Sequence, residues 1–313
     1  MTVRTIRPGD EEWHTELREL GPEQPPTRLF VEGLPLRAGD RAVAVVGSRR
    51  PTAAGIQATR AIASELAEAG FPIVSGLAVG VDAAAHRAAL DAGGYTIAVL
   101  GCGLDVDYPG KNAGLKKRIA SSGTLVSEYE AGTQPQPFHF PRRNRIIAGL
   151  CKAVVFVEGA ERSGGLITAR QALDAGRDVF AVPGSIHNPL ATGPNELIRT
   201  SQANLVTCAR HVIEELAPGL VWGREEVADP QLRAPLFNRD EGRVLAFLDD
   251  IPTPVDRICM DLGLTGGQTT LALAALEVRN LVLRQRSGYC LTTAGTRVRS
   301  RLPADETEAD RTQ

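Results

Sequence analysis

The 313-residue sequence predicts an α/β protein, a doubly wound and mostly parallel sheet followed by a small C-terminal winged-helix domain. Three observations carry this. Short β-branched runs alternate with helical runs, the pattern of right-handed βαβ units. Most strand ends open into a Gly- or Ser-rich loop that leads to a helix. Beyond a proline-rich stretch, three apolar helical faces precede a hairpin.

Residues 1–40 are polar, proline-rich and weakly periodic, and read as a short segment lying along the next domain. The main domain, residues 41–217, opens with Ala42–Val46, a strand apolar on both faces as a parallel sheet requires. Gly47, Ser48 and Arg49 follow: a close backbone turn, a hydroxyl and a charge where α/β folds hold phosphate. Neither GxGxxG nor the Walker A spacing is present, which removes the main support for an ATPase. A helix over Gly55–Ala69 leads to the strand Pro72–Val74 and the loop containing Gly76. Asp82 suits either a helix cap or a ligand contact, and His86, four residues on, reads as a surface partner for it.

The strand Thr96–Leu100 opens into a turn-rich loop, Gly101–Asn112. Its Asp105 and Asp107 lack a third carboxylate at useful spacing, so no metal site is expected. Strands Gly123–Val126, Ala153–Val157 and Asp178–Val182 follow. Ser163, Gly164, Gly165 and Thr168 form another small-residue helix opening, and Asn195 stands at one more; with Gly47–Arg49, Gly76–Asp82, Gly101–Asn112 and Phe140–Arg145 they are expected to converge on one crevice for an anionic ligand, DNA. Residues 218–237 read as a linker, 238–300 as the winged helix and 301–313 as a disordered acidic tail. The apolar faces expected there are Val244, Phe247, Leu248 and Ile251, then Leu271, Ala274, Ala275 and Val278. The third helix carries few basic residues, so a protein-contact or structural role competes with duplex readout.

The chemistry concentrates in FPRRNRIIAGL, Phe140 to Leu150. Pro141 suits the first position of a helix. That would set Arg142, Arg143, Asn144 and Arg145 among free backbone N–H groups at the positive end of a dipole, where a bridging anion relieves the conflict. Phe140 offers a face for a stacked base, or else plugs the core. With net charge −2, any nucleic-acid site must be a local patch. The five scattered cysteines form no CxxC pair, no signal peptide is evident, and no apolar run approaches about 18 residues. A reducing cytoplasm is the expected compartment.

In order, VVGSRRPTAAG, SGLAVGVDAAAH, LGCGLDVDYPGKN, SEYEAG, FPRRNRIIAGL, SGGLITARQA and GRDVFAVPG resemble the DNA-processing protein A (DprA, or Smf) family over Leu29–Leu216. The resemblance implies an extended Rossmann-like fold that binds single-stranded DNA, and a homodimer that loads RecA recombinase during natural transformation. It implies neither catalytic residues nor a cofactor. Arg49 and Phe140–Arg145 carry over as DNA contacts, Gly47–Ser48 and Ser163–Gly165 as pocket walls. The chain departs from the family pattern at Val79, usually arginine, and at Gln202–Ala203, usually Gly-Ala; residues 1–40 stand where many members carry a helical domain. The competing reading is a nucleotide-binding or nucleotide-hydrolysing enzyme similar to phosphoribohydrolases. SGGLITARQA matches their PGGxGTxxE loop only loosely, and Glu158 and Glu161 precede the glycines rather than follow the threonine.

Overall fold

A computed structural model describes residues 2–18, 20, 25–38, 41–218, 220, 237–279, 281–285 and 287–299. The chain divides into two compact units, Met1–Gly223 and Arg224–Gln313. The tail 301–313 and nearly all of the linker 218–237 lie outside the described residues.

The first unit is built on a nine-stranded sheet. Its strands are β1 (Arg4–Ile6), β2 (Leu29–Gly33), β3 (Val43–Val46), β4 (Ile73–Ser75), β5 (Thr96–Leu100), β6 (Thr124–Ser127), β7 (Ala153–Phe156), β8 (Asp178–Ala181) and β9 (Asn204–Leu205). They run in the order β1-β2-β6-β5-β4-β3-β7-β8-β9. Every pair is parallel except β1–β2 and β2–β6. Strands β3 to β7 are buried at every position, as expected of a sheet covered on both faces. The helices are α1 (Ala53–Glu68), α2 (Val81–Asp91), α3 (Ala113–Ser122), α4 (His139–Gly149), α5 (Gly164–Asp174), α6 (Thr192–Arg199) and α7 (Ala209–Leu216).

The N-terminal segment does more than lie along the domain. It supplies β1 and β2, which pair antiparallel and extend the sheet past β6. In β2, which pairs with β6 from Phe30 to Gly33, Leu29 and Val31 bury completely while Glu32 stays accessible, an alternation too brief to read as a strand.

The second unit holds α8 (Arg239–Phe247), α9 (Val255–Leu262), α10 (Gly266–Val278), the hairpin β10 (Val282–Gln285) and β11 (Gly288–Leu291), and α11 (Thr293–Arg299). Capping boxes at Asn238/Glu241 and Thr265/Gln268 fix the starts of α8 and α10. Two apolar expectations are corrected here. Ile251 lies beyond α8 and is exposed. The face of α10 that packs inward is Thr269, Ala272, Leu273 and Leu276, whereas Leu271, Ala274 and Val278 face solvent. Alanine and leucine occupy nearly every side of this helix, so periodicity does not select a face. Arg279 donates to Glu241 (3.2 Å) and lies over the Phe237 ring. Among the described residues, no helix is long and apolar enough to cross a membrane.

Candidate nucleic-acid interface

From β3 the chain winds outward through β4, β5 and β6, then returns to place β7 on the other side of β3. Crevices open at the carboxyl ends of strands where winding reverses. Here the two bounding loops are Gly47–Arg49 after β3 and Glu158–Gly165 after β7. They meet closely: a Cβ on Gly165 would lie 3.0 Å from the Gly47 Cα and 2.7 Å from the Phe156 ring. Glu158 locks them together. Its carboxylate accepts from the Thr52 N–H (2.8 Å), the Thr52 hydroxyl (2.6 Å) and the Asn188 amide (3.2 Å), while Thr52 caps α1. Glu158 is therefore a structural group whose oxygens are already occupied.

The crevice encloses about 620 Å³. Gly47, Ser48, Arg49, Phe140, Arg143, Asn144, Ser163, Gly164, Gly165 and Thr168 line it, as the sequence led one to expect. The Ser163 side chain caps α5 by accepting from Leu166 N–H, and Thr168 reaches back to the Gly164 carbonyl (3.2 Å). Gly76 lines a smaller adjoining recess with Ala78, Val79, Leu100, Gly101, Tyr108 and Pro109. Phe140 is half-buried between them, 5.4 Å from the Tyr108 ring, with the Arg49 guanidinium over it at 5.4 Å. It is thus neither a core plug nor fully free. Sequence reasoning passed over Tyr108 and Arg162, both exposed on the crevice wall. Tyr108 sits inside a loop the sequence marks, Gly101–Asn112, whereas Arg162 lies one residue before the marked opening at Ser163.

Three expected site residues line neither cavity. Asn195 holds Gly184, accepting from its N–H (3.1 Å) and donating to its carbonyl (2.9 Å). Arg145 is buried and donates to both Glu128 oxygens at 2.7 Å. Arg142 is exposed and lies 3.6 Å from the same carboxylate.

The basic stretch also enters its helix differently. Helix α4 begins at His139, so Pro141 is its third residue and the arginines fall beyond the first free N–H groups. His139 causes the earlier start: its ring stacks on Tyr129 at 4.1 Å and bonds the Gly101 carbonyl through Nδ1. The four side chains from Arg142 to Arg145 consequently separate. Arg142 is accessible, while Arg143, Asn144 and Arg145 turn inward.

Arg143 is 4% exposed and donates to the Gly76 carbonyl (2.8 Å), the Val99 carbonyl and the Asn144 side chain (3.2 Å). Asp82 stands nearby and accepts from the N–H groups of Gly76 (3.1 Å) and Ala78 (3.4 Å), so it caps a loop and not its own helix. Burial pushes the Asp82 carboxyl up, against the pull of Arg143 and those N–H groups. Burial also lowers Arg143 to about 10, with Asp82 acting in the opposite direction. His86 is not a surface partner. It is fully buried with Nδ1 2.7 Å from the Thr96 hydroxyl, and burial holds its pKa down to about 3. The two loop acids serve structure: Asp105 accepts from Gly132 N–H, and Asp107 pairs with Lys116 at 3.1 Å.

The family model described as DNA recombination-mediator protein A matches residues 4–217, and that of the DprA winged helix domain matches 227–288. Protein Smf of Escherichia coli is 39% identical over 290 residues, covering 90% of this chain and 76% of the relative. The DNA processing protein DprA of Bacillus subtilis is 45% identical over 61% of the chain, and that of Streptococcus pneumoniae 51% over 55%. These matched segments span 65% and 61% of the relatives' own lengths. Among solved structures, the Streptococcus pneumoniae protein superposes with a TM-score of 0.65 at 44% identity, covering 69% of this chain and 75% of that one. DNA processing protein A from Helicobacter pylori, solved to describe its single-stranded DNA binding mode, gives 0.62 at 32% identity over 69% and 96%. An α/β unit with this sheet order, this crevice and these matches, followed by a winged helix, belongs to the DNA recombination-mediator protein A family.

Proposed function

We propose that this chain binds single-stranded DNA in the crevice, protects incoming strands and loads RecA recombinase onto them during natural transformation. It would work as a homodimer in the cytoplasm and without bond-breaking turnover. The observation that carries the reading is the composition of the crevice wall. Arg49 and Arg162 present accessible cations, and Phe140 and Tyr108 present ring surface beside them. Cations along a groove neutralise phosphates, and aromatic faces hold bases without sequence preference. A dimer would set two such grooves on one strand and raise the effective concentration of the second contact.

The carboxylates near the glycine loops are engaged elsewhere, which weighs against nucleotide hydrolysis. Glu158 is held by Thr52 and Asn188, and Asp82 by the Gly76 loop. Fluorescence anisotropy with labelled oligo(dT) and with duplex of equal length, across a salt series, tests the proposal. Tighter binding to oligo(dT), weakening as salt rises, is the expected result. Equal affinity for both, or binding indifferent to salt, refutes it. Free adenine released on incubation with AMP would favour the enzyme instead.

A further inference from the structure

We propose that Arg143 is a positioning residue: it shapes the recess wall at Gly76–Val79 and does not itself neutralise a phosphate. The proposal rests on the single-stranded DNA reading above and refines what one arginine of its groove does. A phosphate-binding arginine presents its fork to the ligand, and two of the three nitrogens of this guanidinium, Nε and Nη1, are committed inward. Its Nη1 donates to two backbone carbonyls, Gly76 beyond β4 and Val99 in β5, so the guanidinium ties neighbouring strand ends together. Nε is taken by Asn144, whose own amide reaches the Gly164 carbonyl on the opposite wall at 3.4 Å.

Asp82 completes the arrangement from the other side, accepting the Gly76 N–H while Arg143 donates to the Gly76 carbonyl. One residue is thereby held by both of its backbone polar groups between opposite charges. A Cβ added to Gly76 would lie 2.7 Å from the Arg143 Cζ and 2.8 Å from the Asp82 Oδ2, so only glycine fits between them. The next residue, Leu77, is buried with φ at 55°, a backbone conformation that needs such support, and its carbonyl accepts from Asn112 at 2.9 Å. Ala78 and Val79 then form the recess wall.

The test uses the full-length protein, labelled oligo(dT) and a salt series, with amide hydrogen exchange on the free protein. Arg143→Lys keeps the charge and removes the fork. It should weaken binding roughly tenfold or more, as displacement of a site wall by about an ångström does. The slope of log affinity against log salt should stay at the wild-type value, and exchange at residues 76–79 should quicken. Arg49→Ala, by contrast, should lower that slope by about 0.7. Asp82→Ala should also weaken binding at unchanged slope, because it releases the same loop. A phosphate contact predicts the reverse: Arg143→Lys leaves exchange at 76–79 at the wild-type rate, and Asp82→Ala frees the arginine, tightens binding and steepens the slope. Either result overturns the proposal. If wild type shows no salt-dependent binding, the DNA reading fails by itself. Exchange at 76–79 in Arg143→Lys and Asp82→Ala then decides the positioning role, with unchanged protection refuting it.

Discussion

Arg145→Ala separates a structural cation from a binding one. The Arg145 side chain is 3% exposed and its carboxylate partner Glu128 is 14% exposed, with both Glu128 oxygens 2.7 Å from one guanidinium nitrogen. Removing Arg145 leaves this buried carboxylate only the exposed Arg142 at 3.6 Å, a loss of about 3 kcal/mol. For a unit of this size each kcal/mol shifts Tm by roughly 2–4 °C, so the transition should fall by about 6–12 °C. Arg142→Ala is the matched control. Its side chain is 58% exposed and 3.6 Å from the same carboxylate, a contact that stabilises by less than about 1 kcal/mol. It should leave Tm within about 4 °C of wild type and, if Arg142 meets a phosphate, lower the salt slope by about 0.7. Calorimetry and anisotropy on the same two preparations make the comparison. An Arg145→Ala protein that melts like wild type and loses salt slope would refute the reasoning, because the ion pair would then not hold in solution.

Glu128→Gln should lower Tm for the same reason, yet bind oligo(dT) more tightly, because the carboxylate that draws Arg142 aside is gone; unchanged affinity counts against that competition. Phe140→Leu should cost about 1–3 kcal/mol of oligo(dT) affinity with no change in salt slope, and a changed slope would mean that Arg49 left its place over the ring. His86 gives a pH signature. Its folded-state pKa, about 3, lies below the ordinary 6.5, so the folded form resists protonation. Its contribution is complete above pH 6.5 and is lost as pH falls from there toward 3, with a slope approaching about 1.4 kcal/mol per pH unit. Denaturant titrations from pH 7 to 4 should show a flatter decline for His86→Leu, and parallel profiles would exclude this source.

What the sequence made legible was the backbone chemistry. Gly47, Gly76 and Ser163–Gly165 mark strand ends because close approach and helix capping depend on residues within a few positions. The arginines were harder to place because their partners are remote in sequence. Glu128 lies seventeen residues from Arg145, and the carbonyls that hold Arg143 lie forty-four and sixty-seven residues away. A useful signal was nevertheless present in IIAGL, which follows the arginines without a polar stripe. A helix apolar around its circumference is buried on all sides, and α4 is buried continuously from Arg143 to Gly149. Polar side chains in such a helix require partners, which limits them to internal acceptors or a bound anion. For Arg143 Nε and Nη1 and for Arg145 Nη2 the chain itself provides those acceptors, while Arg145 Nη1 is buried with no hydrogen-bond partner among the described residues. On the single-stranded DNA reading proposed above, electrostatic grip on the polyanion is therefore assigned to exposed cations outside the buried run, Arg49 and Arg162 on the crevice wall.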